Sequence, residues 1–406
     1  EWFYHPSEDS KVKTVPKLME IYYNSIGRNA TLLLNFPIMP NGLIHPTDEK
    51  MAIEFAKAVK ASFAVNLARK AKAEASNVRG NARKYSAAKA IDNDNETYWA
   101  TDDSVTSASL TIDLGKPTLF NRFMAQEYIR LGQRVKSFTV EALVDGEWKE
   151  ITNGTTIGYK RIMRFPSVNA SKVRFTITAS KSCPVISNIG IYNAPVFLDA
   201  PTITRNQEGY VTLTTNDIGP IFYYTLDGTE PTQKSNLYTA PFYADGKIEI
   251  KAIACDPSSD KCSPVGYEKF DISKKDWKVI GINDDNTQKI IDGNPYTVYH
   301  QRNGKKMPVD LVIDLGNTYS VCGFKYLPDQ NKWSSGIISN YQFYISTDNK
   351  IWKLADEGEF SNIKNNPVWQ IKNFSSFKAR YIKLRANKTT WGDDVAGYAE
   401  IDVITE

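Results

Sequence analysis

Three things are scarce in this chain of 406 residues: cysteine, long apolar runs and clustered positive charge. Four cysteines do not make a disulfide framework. Cys183 and Cys322 fall in β-like segments and read as plain core residues. Cys255 and Cys262 flank the turn-rich DPSSDK, where a bridge is geometrically possible in an oxidising compartment, and two free thiols are the equal alternative. No apolar run approaches the length of a membrane-spanning helix. No Lys/Arg block stands out and the net charge is only +4, which argues against a nucleic-acid partner. No secretory leader opens the chain; EWFYHPSEDS reads as the middle of something, so a processed or truncated piece is expected.

What is present is a pattern written twice, about two hundred residues apart. IDNDNETYW (Ile91 to Trp99), LTIDLG (Leu110 to Gly115), VEALVDGEWKEI (Val140 to Ile151) and VRFTI (Val173 to Ile177) form the first copy. IDGNPYTVYH (Ile291 to His300), LVIDLG (Leu311 to Gly316), YISTDNKIWKL (Tyr344 to Leu354) and RYIKLRA (Arg380 to Ala386) form the second. Order and spacing are kept while most residues differ. The period is too long for a solenoid unit, so it means two copies of one domain. Their strand signals are short, alternating and separated by turns, which predicts antiparallel β-sandwiches or jelly rolls over 71–195 and 276–406. Within them Trp99, Trp148 and Trp352 sit in strand patterns and are expected in the core.

The remaining segments differ. Residues 196–275 alternate between turns such as DGTEPT and DGK and predict a small immunoglobulin-like sandwich acting as a spacer. Residues 1–70 are the helical part. Val15, Leu18, Met19 and Tyr22 have helical spacing, and ATLLLNFP predicts a strand buried on both faces. Thr47 offers an N-cap to a second helix with Met51, Phe55, Val59 and Phe63 on one stripe. Helix, buried strand and helix are a piece of an α/β fold too short to bury its own faces.

WFYHPSED (Trp2 to Asp9), SIGRNATLLLNFP (Ser25 to Pro37) and GLIHPTD (Gly42 to Asp48) resemble the end of the catalytic domain of family 29 glycoside hydrolases, the α-L-fucosidases. The resemblance implies the last elements of a (β/α)8-like barrel whose catalytic carboxylates lie upstream, so no catalytic residue is assigned to this chain. Trp2 and His5 would sit on the active-site rim, with an aromatic cluster around Phe3 and Tyr4 as the equal alternative. The two repeats resemble the coagulation factor 5/8 type C (discoidin) fold, also known as family 32 carbohydrate-binding modules. The middle segment, through YYTLDGTEPT and LYTAPF, resembles the C-terminal domain of chitobiase and β-hexosaminidase. The expected architecture is therefore multidomain and mainly β: two discoidin-type sandwiches, one small immunoglobulin-like sandwich, and an N-terminal α/β piece.

Each repeat opens with a loop crowded with oxygen donors. Calcium binds six to eight oxygens, and these loops offer them: Asp92, Asp94 and Thr97, with the Lys89 carbonyl, and Asp292, Asn294 and Thr297, with the Lys289 carbonyl. Discoidin domains close such a site with a glutamate near the last strand. Glu400 fits in the second copy, while Asn188 stands there in the first and removes a charge. A structural Ca2+ is expected in the second domain, and one is a lesser expectation in the first. The competing expectation is a metal-free Asx-turn loop.

Sugar binding needs an aromatic face and a few polar groups. His300 follows the second loop at a position that contacts ligand in related galactose-binding modules, with Arg302 nearby. Trp333 in DQNKWSSG and Trp391 in KTTWGDD lie in polar loops and are hard to explain as core. Two departures from galactose binders leave the ligand open: a tryptophan is replaced around Gln301 to Gly304, and a loop arginine around Asp329. The first copy keeps Gln126, Glu127, Gln133 and Arg134 without a loop tryptophan; docking against the barrel is its expected role, with sugar binding as the alternative. The resemblances imply the carbohydrate-targeting portion of a secreted, periplasmic or cell-surface bacterial α-L-fucosidase. Its expected partners are fucosylated or galactose-type glycans and the upstream barrel portion. A stand-alone carbohydrate-binding or adhesion protein is the rival, and cell-surface protein binding a third possibility.

Overall fold

The computed structural model describes residues 3–302, 306–331 and 333–406. Two compact units divide the chain. One comprises 1–199, 215–221 and 254–264; the other comprises 200–214, 222–253 and 265–406.

In the first unit, helices α1 (Val15–Ser25) and α2 (Pro46–Ser62) pack together. The cap of α2 is His45, whose Nδ1 accepts the Thr47 N–H, and not Thr47 as the sequence pattern suggested. Proline at the first helical turn shifts the helix start forward by fixing φ where the N–H is already unneeded. The expected buried strand in ATLLLNFP does not form: residues 30–37 lie outside every sheet, and Leu33 is 83% exposed. A doubly buried strand needs neighbours on both edges, and the described residues supply none.

The first discoidin-type sandwich uses the strands Ala108–Glu127 and Arg161–Ser180, which pair antiparallel along their length. Irregularities between Asp113 and Thr118 and between Phe120 and Arg122 bend the pair. Both halves then line one core, with Leu110 and Ile112 on one side of the bend and Phe120 and Phe123 on the other. The helical N-terminal piece docks on this sandwich. Ile162 N–H donates to the Gly27 carbonyl, and Leu18, Met19, Tyr23 and Phe55 share a cluster with Met124, Ile162 and Tyr192.

In the second unit, a four-stranded and a three-stranded sheet enclose Ile203, Val211, Leu213 and Ile250 as a small sandwich. The second discoidin-type sandwich repeats the long pair as Val309–Leu327 with Gln370–Thr389. Its core holds the stacked rings of Phe324 and Phe343, 4.1 Å apart. Two tryptophans depart from expectation. Trp99 is fully buried, with its indole N–H on the Asn77 carbonyl. Trp148 and Trp352 are half-buried beneath cations, Arg174 at 4.3 Å and Lys383 at 4.4 Å. Each stands in or beside an outer strand, where the face opposite the core meets solvent and a long cationic side chain covers it. Cys183 is buried, Cys322 only half-buried, and Cys255 is bridged to Cys262.

Candidate functional site

The loops at one end of the second discoidin-type sandwich gather most of the residues singled out for sugar binding. His300 lies on the short strand Tyr299–Gln301, paired with Ala396–Tyr398. Its Nε2 is 3.2 Å from Ser334 Oγ and 3.6 Å from Asp329 Oδ2. Gly397 permits that placement, since a Cβ there would come within 3.2 Å of the imidazole. Asp329 caps its own turn by accepting the Asn331 N–H. Trp333 and Trp391 are 70% and 46% exposed, with ring centres 6.1 Å apart and planes tilted by 34°. The loops carrying them are knit together: Gly336 N–H donates to Asp393, Thr389 hydroxyl bonds Asp393, and Gly397 N–H donates to the Gly336 carbonyl. Solvent-facing indoles are therefore held on a backbone-anchored frame.

Two neighbours went unnoticed in the sequence. Ser334 brings a hydroxyl to His300, and Lys364 Nζ lies 3.7 Å above the Trp391 ring. Ser334 adjoins Trp333 and could have been found by proximity; Lys364 comes from a distant segment and carries no local signal. Arg302 is exposed, and residues 303–305 and Lys332 lie outside the described residues. The arrangement provides apolar ring faces beside an imidazole, a carboxylate and a hydroxyl. That combination suits a ligand with an apolar face and directional hydroxyls.

The first sandwich uses the corresponding loop differently. Glu127 is buried, and its carboxylate accepts the backbone N–H groups of Arg134, Val135 and Gly158 at 2.7–2.9 Å. Gln126 donates to the Tyr159 carbonyl and accepts from Asn188. Gln133 is exposed, and Arg134 reaches the Cys183 carbonyl. These side chains hold the loop together. Tyr98 and Tyr128 stack at 4.6 Å, with Tyr85 alongside, an aromatic group assembled from segments with no shared local signal.

The oxygen-rich loops keep the Asx-turn geometry. Asp92 accepts the Asp94 N–H, the Thr97 hydroxyl and Lys89 Nζ, and Asp94 accepts the Glu96 N–H. Burial works to raise the Asp92 carboxyl, but those hydrogen bonds outweigh it and hold it below its ordinary value. Asp292 likewise accepts the Asn294 N–H and the Thr297 hydroxyl. Glu400 is 2% exposed; one carboxylate oxygen accepts the Gly293 N–H at 2.6 Å, and the other lies 2.5 Å from Lys274 Nζ. Gly293 has φ 78°, and a Cβ there would strike the Arg205 carbonyl oxygen, so only glycine serves. Burial pushes Glu400 up to about 7, while the Glu400 and Asp402 charges overcome the burial of Lys274 and hold its ammonium above its ordinary value. The backbone N–H of Gly293 and the Lys274 ammonium both point donors at the carboxylate and favour its charged form. Among the described residues no three acidic, histidine or cysteine side chains converge to hold a metal. Asn188 turns its amide to Gln126, and its buried Oδ1 has no partner among the described residues.

At the N-terminal end, Trp2 lies outside the described residues. Among the described residues, His5 is exposed and Phe3 is 75% exposed. Tyr4 instead donates to Asp9 and stacks on His45.

Comparison with known proteins places these modules. The family model of the F5/8 type C domain matches residues 71–189 and 277–401, and that of the chitobiase/beta-hexosaminidase C-terminal domain matches 200–265. The chain is 35% identical over 195 residues to alpha-L-fucosidase 1 of Arabidopsis thaliana, covering 47% of this chain and 38% of the relative. It is 30% identical over 150 residues to a galactose oxidase of Gibberella zeae, covering 35% of this chain and 21% of the relative. A family 29 fucosidase of Ruminococcus gnavus, solved in complex with fucose, shares 37% identity over 48% of this chain and 39% of its own, with a TM-score of 0.45. The chain spans about two fifths of the length of the fucosidase relatives it matches. With two matched copies covering more than half its length, the chain belongs to the F5/8 type C domain family, and its homologues include α-L-fucosidases.

Proposed function

We propose that this chain is the glycan-targeting portion of a secreted or cell-surface bacterial α-L-fucosidase, and that its second discoidin-type module binds fucosylated or galactose-type glycans. The observation that carries the reading is the pair of solvent-facing indoles, Trp333 and Trp391, beside His300 and Asp329. Pyranoses with an axial hydroxyl present an apolar face for stacking and directional hydroxyls for the polar groups. A shallow site of this kind corresponds to a Kd on the order of 0.1–1 mM. Tethering to an enzyme turns such weak binding into a useful local concentration.

The parent protein would remove terminal L-fucose with retention, using two carboxylates about 5–5.5 Å apart on barrel strand ends. Support for an upstream barrel comes from the α/β piece. Leu33, Ile38 and Leu43 are more than half exposed, and Leu18, Ile21, Leu32, Leu34 and Met51 line a groove of about 540 Å³. Apolar surface of this kind asks for cover by further strands and helices. The Cys255–Cys262 bridge supports an oxidising compartment. A glycan array probed with the chain, followed by calorimetry on the best fucosylated and galactosylated hits, tests the binding. Failure to retain any such glycan would remove the reading. An aryl α-L-fucoside assay of this chain against the full-length parent tests the division of labour, with turnover expected only from the parent.

A further inference from the structure

The second oxygen-rich loop was expected to hold calcium, and the carboxylate that would close such a site already faces a fixed cation. Calcium needs six to eight oxygens with lone pairs turned toward it. Both oxygens of Glu400 are engaged by nitrogen donors, Gly293 N–H and Lys274 Nζ, and both oxygens of Asp292 by the Asn294 N–H and the Thr297 hydroxyl. The positive charge beside these carboxylates is already there, as an ammonium reaching in from a residue 126 positions earlier in the chain. Its side chain is 12% exposed, against 2% for Glu400.

We propose that Lys274 is the built-in cation of the second module: its ammonium replaces a structural calcium and fastens the preceding linker to the last strand. The segment around Lys274 joins the small sandwich to the discoidin-type sandwich, both within the second unit. It is pinned at several points. The Asp271 carboxylate accepts the Thr405 N–H and hydroxyl, Arg205 donates to the Asp271 and Ile272 carbonyls, and Gln207 donates to the Lys274 and Trp277 carbonyls. Lys274 Nζ also lies 5.6 Å from the Trp277 ring centre, and Trp277 belongs to the module's core. A divalent ion needs only the loop and the last strand. A lysine from the linker makes the same charge balance depend on the linker's position, so this contact adds to those that hold the small sandwich to the module. The first module differs: neutral Asn188 stands at the position of Glu400, and its loop aspartate takes a local lysine, Lys89, at 3.2 Å.

Thermal unfolding of the full chain in calcium and in EDTA tests this, repeated on Asp292→Asn and Asp92→Asn. The expected result is that any calcium-dependent rise in melting temperature survives Asp292→Asn. A rise in the wild type that Asp292→Asn abolishes overturns the proposal. Lys274→Met should lower the melting temperature, leaving an uncompensated buried carboxylate. Lys274→Met combined with Glu400→Gln should recover part of that loss. A single variant as stable as the wild type, or a double variant with no recovery, would show that the ammonium is not the counter-charge.

Discussion

The two discoidin-type modules began from one pattern and turn the corresponding loop in opposite directions. In the first, the loop after the long strand turns its polar side chains inward, and the Glu127 carboxylate is consumed by three backbone N–H groups. In the second, the corresponding loop turns outward and presents Trp333 beside His300 and Asp329. The first module instead supplies Met124, Ile162 and Tyr192 as a seat for the N-terminal helices. A sandwich whose strands carry the stability leaves its end loops free to serve either as mortar or as a binding face.

The largest effect that would sharpen this contrast lies in the tryptophans. Trp99→Ala should cost about 3–5 kcal/mol by opening a cavity in the first core. Trp352→Ala in the second module should cost about 1–2 kcal/mol, since only part of its surface leaves water. Denaturant melts of both variants check this, and equal losses would mean that Trp352 is core after all.

Next comes Glu127→Ala. It removes the acceptor that the Arg134, Val135 and Gly158 N–H groups share, and should cost about 3 kcal/mol while leaving glycan binding by the second module untouched. Loss of binding without loss of stability in this variant would break the comparison, because it would place the ligand on the first module.

Binding itself should separate the modules. His300→Ala or Trp391→Ala should weaken glycan binding at least tenfold, about 1.4 kcal/mol, with the fold intact by circular dichroism. Tyr128→Ala and Gln133→Ala in the first module should leave calorimetric affinity unchanged. Undiminished binding in the second-module variants would place the site elsewhere.

The smallest effect is on pH dependence, where the modules should behave alike. Arg380 donates twice to Asp314, and that hydrogen bonding holds the Asp314 carboxyl below its ordinary value. Arg174 does the same for Glu141 in the first module. A carboxyl lowered in the folded state contributes stability above its unfolded pKa, and that contribution is lost as pH falls through the folded value. Both pairs are partly exposed, so each contributes well under about 1 kcal/mol. Melting curves should show Asp314→Asn converging on the wild type as pH falls below about 4. A gap that widens on acidification would contradict the assignment.

Much of this molecule could be read from local pattern. The duplicated order of turns and strands specified two sandwiches, because period-two alternation and turn chemistry are local properties. Helix α1 was legible from its spacing, and the two loop tryptophans from the polar residues around them. A hairpin bridge between Cys255 and Cys262 was one of two options that sequence proximity allowed. What the tertiary structure decided depends on partners far away in the chain. Lys274 meets Glu400 across 126 residues, Lys364 covers Trp391, and Asn188 finds Gln126. None of these leaves a trace in a window of neighbouring residues. ATLLLNFP has the composition of a buried strand, yet composition sets only the tendency to be buried. Burial itself requires adjacent strands, and the described residues provide none there, so Leu33 faces solvent. The sequence by itself determined the repeated order of strands and turns in the two sandwiches, while charge pairing and burial waited for the fold, because both are set by whichever atoms the completed chain brings within a few ångströms.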